Sequence, residues 1–412
     1  MNLASLLPLI AEMPGYRQLL EALRQGGEQR IVVLDAAKPY LLASLHRELG
    51  LPMLVVTATP EEAKQLQDQL ASWSSDSLIF PEPDSLPYER LASDPSTIQQ
   101  RIKALSALSE DKAPLVIASA HAIAQKTLSP SDFLSAYHII NQGMRVDPDE
   151  LLARWRDMGY EWENMVEVPG SFSRRGGILD IYTPSSDLPA RIELFGNEVE
   201  SIRLFDPATQ RSLRLVGSIA IVPAREAFSN KVLDLDETLN RLDLSSCQTE
   251  ARKRIEDEVK KLLSGEQVEG ADFYTPLFSS GNLVDYLPGE AILILDRPAE
   301  IEETVKELDA QARELRREQI ARGELPRNFP TPYLTWEELL PRIKGVERRL
   351  DLWSWQGDWG EPSQPSITFA SAPSYGGRLA AFLKDAREMV EKRRRIIIVS
   401  HQARRLSELL EE

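Results

Sequence analysis

Apolar residues come in two textures along this chain, and the change falls near residue 128. Before it, short continuous apolar runs alternate with stretches of helical spacing. IVVLD (31–35) reads as a strand, AKPYLLASLHRELG as a helix, and LPMLVVTAT (51–59) as a second, buried strand. EEAKQLQDQLASW is then predicted helical, opened by Thr59 as N-cap and Pro60 in the first turn. SLIF (77–80) and PLVIASA (114–120) supply a third and a fourth strand. Continuous apolar strands separated by helices specify an α/β fold with a parallel, doubly wound sheet.

Beyond residue 128 the strand signals crowd together. After a helix over DPDELLARWRDMGY (147–160), SFSRRGGILDIYTP and LPARIELFGNEVESIRLFD carry short alternating runs joined by Gly-Gly, Pro-Ser-Ser and Gly-Asn. Such runs predict antiparallel hairpins, and hence a small α+β insert over 127–216 between a first segment, 1–126, and a third, 217–350. From 217 the chain is expected to return to helices and to one isolated buried strand, EAILILD (290–296), which rejoins the first sheet. The helix that follows it, IEETVKELDAQARELRREQIARGE, is dense in i,i+4 charge pairs and reads as solvated. DLWSWQGDWGEPSQPS (351–366) reads as a linker. The rest spells helix, strand (RIIIVS), helix, with KRRR (392–395) as a solvated helix-end cluster. A lone βα unit cannot bury both faces of its strand. Residues 351–412 are therefore expected to begin a further α/β domain in a longer native protein.

Composition narrows the function. Hydrophobic (42%) and charged (27%) shares are those of a globular chain, and no run reaches the roughly 18 apolar residues of a membrane span. The N-terminus lacks a basic region ahead of its apolar start, so it reads as a helix rather than a signal peptide, and a cytoplasmic location is expected. Cys247 is the only cysteine and the four histidines are scattered, so no disulfide framework, cysteine-based zinc site or HExxH spacing exists. The net charge of −16 argues against a chain that grips nucleic acid as a whole.

The expected chemistry of such a scaffold is missing. A phosphate loop after the first strand needs GxxxxGK[ST]: glycines for close backbone approach, lysine for the phosphates, hydroxyl for magnesium. Here the strand runs into Asp35, Ala36, Ala37, Lys38, Pro39 and Tyr40. No glycine is present, Pro39 lacks an amide donor and Asp35 repels phosphate. ILILD ends on Asp296, but Arg297 stands where a catalytic glutamate belongs. Asp35, Lys38 and Asp296 thus mark a degenerate nucleotide site, and no residue is assigned a catalytic role.

In ARIELFGNEV, strand alternation puts Ile192 and Leu194 on one face and Arg191, Glu193 and Phe195 on the other. Arg174 and Arg175, before Gly176-Gly177, add donors suited to carboxylates. Two readings stay open on spacing alone. Either Phe195 packs under the insert's own helix with the arginines solvated, or the second face is exposed, with the aromatic–arginine composition of interface hot spots.

FSRRGGILDIYTPSSDLPARIELFGNEVESIRLFDPATQRS resembles the UvrA-binding domain shared by the bacterial transcription-repair coupling factors and the excinuclease protein UvrB. SLIFPEPDSLPYERLASDPSTIQQRIKAL and LFSSGNLVDYLPGEAILILDRP resemble the coupling factors specifically. The resemblance implies a degenerate P-loop, RecA-like domain split into parts 1A and 1B around a UvrA-binding insert. It implies a docking module that recruits the excinuclease protein UvrA and hydrolyses no nucleotide, with Arg175, Arg191 and Phe195 as contacts. ATP and magnesium, RNA polymerase and double-stranded DNA would belong to downstream domains, and the C-terminal region could mask the docking face intramolecularly. The rival reading is a UvrB-like helicase lobe that binds nucleotide and damaged DNA.

Overall fold

The computed structural model describes residues 2–408 except 74–76, 111, 227–234, 265, 267, 279, 355–366, 368, 372, 376–377, 400–404 and 406. Contacts divide the chain into two units, Met1–Ile367 and Thr368–Glu412.

Among its described residues the first unit holds fourteen strands: β1 Gly27–Val32, β2 Met53–Thr57, β3 Ser77–Phe80, β4 Leu115–Ser119, β5 His138–Asn141, β6 Glu161–Trp162, β7 Ser171–Arg175, β8 Ile178–Tyr182, β9 Ala190–Phe195, β10 Glu198–Phe205, β11 Ser212–Val216, β12 Ser218–Ile221, β13 Ile292–Asp296 and β14 Arg348–Trp353. Six form the expected parallel sheet, in the order β1-β14-β13-β2-β4-β3. β2, β4 and β13 are buried throughout, because helices cover both faces of such a sheet. EAILILD rejoins the first sheet as anticipated, between β2 and β14. The helix Pro60–Leu70 starts at Thr59 with a full capping box: the Thr59 hydroxyl accepts from the Glu62 amide, and the Glu62 carboxylate accepts from the Thr59 amide.

Three expectations shift. The first strand begins at Gly27, four residues before the apolar run, because its polar start pairs along β14. β14 runs through Trp353 and so takes three residues from the expected linker; after Ser354 the remainder, 355–366, lies outside the described residues. Its charged residues are compatible with a central position because they pair: Arg349 reaches Glu28 at 2.5 Å and the buried Asp351 at 3.1 Å. At 217 the chain does not turn directly to helices, since Ser218–Ile221 forms β12 against β5.

The insert's sheet has the order β11-β10-β9-β8-β7-β6. Its hairpins are antiparallel, and only the short β6 edge runs parallel to its neighbour. One face, with Phe172, Leu179, Ile181, Ala190, Ile192, Ile202 and Leu204, packs into the main core together with Trp155 of the helix Pro148–Asp157. The segment leaving the insert is fastened by charge. Glu226, 8% exposed, accepts from Arg101 Nε and Nη2 and from the Thr127 hydroxyl. Arg101 also donates to the Pro81 carbonyl at 2.5 Å and lies 4.0 Å from the centre of the Phe80 ring.

Next to this fastening, Asp272 accepts from the Ser93 hydroxyl at 2.6 Å. Burial, aided by Glu226, pushes its carboxyl above the usual range against the pull of Arg101 and Arg225. The folded chain therefore binds this proton more tightly than the unfolded chain, and Asp272 costs stability as pH rises through the raised value. Asp272→Asn keeps an acceptor for Ser93. It is expected to melt above the parent at neutral pH, with the advantage vanishing as pH is lowered towards about 4; thermal melts across that range check it.

In the second unit, Leu379–Glu391 is helical and Lys392 caps it, beside the exposed arginines 393–395. The strand expected in RIIIVS does not form among the described residues. Ile397, Ile398 and Val399 stand 47%, 40% and 50% exposed, because the described residues of this unit offer no second strand for them to pair with. The helix expected after it lies mostly outside the described residues.

Candidate functional site

β8 carries an acid in an otherwise apolar strand, and that residue organises the exposed face of the insert. Asp180 is fully buried, and its register partner on β9 is Arg191. Arg191 donates to it from Nε at 2.8 Å and Nη2 at 2.9 Å, and Arg175 adds Nη2 at 2.9 Å. Such two-pronged, charge-assisted bonds fix a guanidinium plane. Arg191 is further held by the Gln210 carbonyl, at 3.3 Å from Nη1, and by the Phe205 ring, 4.6 Å below. Gly176, at φ +62, makes the turn that brings Arg175 on β7 back over β8.

Phe195 closes β9 at the hairpin turn Gly196-Asn197 and is 80% exposed. Of the two readings left open by spacing, the structure selects the exposed one for this side chain. Glu193 is engaged on the same face, accepting from the Ser201 hydroxyl at 2.5 Å and pairing with Arg203 at 3.3 Å. Arg174 departs from the grouping. It is the register partner of core-facing Leu179 and pairs with Asp149 at 2.5 Å on the other side of the sheet. Alternation along β7 separates it from Arg175, so adjacency in sequence is not adjacency on the surface.

Arg191, expected as a partner contact, thus spends its fork inside the domain. What it leaves for a partner is a rigid surface around Phe195 and the outward side of Arg175, whose side chain is half exposed. Asp180 was missed as the anchor, although a lone acid amid GILDIY opposite the arginine of ARIELF is a pairing signal. Leu213 and Leu215 on β11 were missed too, at 58% and 68% exposed.

The three residues that the sequence marks as a degenerate nucleotide site meet at the ends of β1 and β13. Lys38, 5% exposed, reaches Asp35 at 2.5 Å, Asp296 at 2.6 Å and the Ser354 hydroxyl at 3.2 Å, which uses all three ammonium donors. Ser354 donates in turn to Asp35 at 2.7 Å. Burial pushes the Asp296 carboxyl up even with Lys38 beside it. At Asp35 burial acts the same way, but hydrogen bonds from Lys38 and Ser354 outweigh it and hold the carboxyl low. Arg297, at φ +59, pairs with Glu62 and Glu300 across the mouth of the cluster. Two carboxylates thus surround the buried ammonium of Lys38.

Among the described residues no group of three His, Cys, Asp or Glu side chains is placed to hold a metal ion, and no helix is long and apolar enough to cross a membrane.

Residues 139–227 match the family model of the UvrB interaction domain. The chain is 30% identical over 322 residues to a transcription-repair-coupling factor of Bacillus subtilis, covering 74% of this chain and 27% of that protein. To its namesake in Myxococcus xanthus it is 30% identical over 305 residues (69% and 25%), and to that of Haemophilus influenzae 27% over 340 (82% and 28%). The chain therefore spans about a quarter of the length of these curated relatives. With its insert built as a UvrB interaction domain and most of its length aligned to these proteins, the chain is a relative of the transcription-repair-coupling factors.

Proposed function

We propose that this chain is a docking module that recruits the excinuclease protein UvrA during transcription-coupled repair and has no catalytic role of its own. The observation that carries this is Phe195: an aromatic 80% exposed at a hairpin tip, beside arginines locked by a buried aspartate, within a UvrB interaction domain. A rigid, pre-ordered aromatic–arginine surface loses little entropy on binding. RNA polymerase, double-stranded DNA, ATP and magnesium are assigned to parts of the longer relatives that this chain does not span.

The parallel sheet is read as a RecA-like scaffold whose phosphate position is filled by Lys38, Asp35 and Asp296. An incoming triphosphate would have to displace both carboxylates, and this supports a docking role over a UvrB-like lobe.

The test is binding of purified UvrA to the chain and to Phe195→Ala. Losing a true anchor costs at least about 2 kcal/mol, roughly 30-fold in Kd. Phe195→Ala touches no buried partner, so an unchanged melting curve with lost affinity isolates docking. Arg191→Ala is the poorer probe, because it strips Asp180 of two of its three guanidinium donors and mixes folding with binding. Equal affinity of parent and Phe195→Ala would remove the hairpin from the interface, and no binding by the folded parent would refute the proposal.

A further inference from the structure

The insert's sheet ends on a strand that nothing covers among the described residues. β11 has β10 on one side and, among those residues, no strand on the other. Residues 212–215 are exposed on both faces of the sheet, Leu213 and Leu215 among them. An antiparallel strand turns the N–H and C=O groups of alternate residues away from its neighbour, so β11 presents an unpaired main-chain edge. Protein edges are normally blunted by charged side chains, bulges, burial or a covering element, and here only Arg211, Arg214 and one bulge stand against pairing. The irregularity between Leu204 and Phe205 lies at the start of β11, leaving 214–216 in regular register.

Two further features say what would pair there. Arg211 precedes the leucines and Arg214 stands between them, neither with an ion-pair partner among the described residues, in a chain of net charge −16. Arg203 on β10 pairs with Glu193, and its Nε is buried with no acceptor among the described residues. The edge is therefore locally cationic and apolar. It is also continuous with the docking face: Asp180, Arg191, Arg203 and Leu215 are successive register partners across β8, β9, β10 and β11.

We propose that β11 receives an extended, acidic segment of the docking partner as a seventh strand. Main-chain hydrogen bonds would supply the pairing, carboxylates facing Arg211 and Arg214 the polarity, and apolar side chains over Leu213 and Leu215 the register. The inference rests on the docking reading above and names UvrA as the protein contributing that strand.

Hydrogen–deuterium exchange of the chain, alone and saturated with purified UvrA, tests it. The expected result is fast exchange of the outward amides of 212–216 in the free chain and at least about tenfold slower exchange in the complex. Arg211→Glu/Arg214→Glu, whose side chains hold no ion-pair partner among the described residues, is expected to keep the parent's melting curve and weaken the complex about tenfold. A complex that protects the Phe195 hairpin while 212–216 still exchange freely would overturn strand addition and leave docking intact. Slow exchange of 212–216 in the free chain would mean that the edge is already covered, and would also overturn it. Absence of any complex would sink both readings. Protection of β11 with full affinity in the double-glutamate variant would overturn the acidic character of the added strand.

Discussion

Lys38→Met is expected to lose about 3–5 kcal/mol of folding stability in urea titrations at neutral pH. The lysine is the buried cation between Asp35 and Asp296, and its removal leaves Asp296, 7% exposed, without its 2.6 Å partner. A buried ion pair adds little beyond what a well-packed apolar pair would, but breaking one strands a charge. Lys38→Met/Asp296→Leu should therefore recover most of the loss, a coupling that additive effects would not produce. Magnesium-ATP provides the complementary measurement. A ligand at about one hundred times its Kd stabilises the folded state by about 2.7 kcal/mol, so a functional phosphate site would raise the parent's melting temperature. No shift is expected. A clear shift in the parent that Lys38→Met abolishes would reverse the assignment of the cluster as a plug.

Arg101→Met is the second large effect, again about 3–5 kcal/mol in the same assay. Arg101 is 3% exposed, and its guanidinium ties the chain leaving the insert, through Glu226, to the Pro81 carbonyl at the end of β3. Methionine leaves Glu226 with Thr127 as its one side-chain donor among the described residues. Glu226→Gln should cost less, because the amide oxygen still accepts from Arg101 and no uncompensated carboxylate remains. A loss below about 1 kcal/mol for Arg101→Met would show that the junction is held by apolar packing.

Both networks explain why only some of this molecule is legible in its sequence. β2, β4 and β13 are apolar up to their last residue because both faces are covered, so period and length suffice to find them. Thr59 and Glu62 are local signals, and so is the alternation that puts Arg191 and Phe195 on one face. β14 is hidden because Arg349 and Asp351 look like loop residues until Glu28, far earlier in the chain, supplies Arg349 with a partner and Arg349 in turn holds Asp351. The Lys38 cluster is likewise made by long-range pairing, to which local periodicity is blind. The Asp180 anchor, by contrast, pairs across adjacent hairpins and is open to a register argument. RIIIVS fails in the opposite sense: its apolar run meets the local criterion for a strand, yet Ile397 to Val399 stay exposed.

The place of β14 also sets an order of events during synthesis. Among the described residues β1 joins the parallel sheet only through β14, and about 320 residues separate them in the chain. At roughly 5–20 residues per second the ribosome needs about 16–64 s to bridge that gap. Throughout that interval β1 has no ladder to join, and β13, once made, has one bare side. The insert, whose six strands all lie between 161 and 216, has no such wait and can close while the surrounding sheet is still incomplete. A nascent chain would thus display the proposed docking face before its own scaffold is finished.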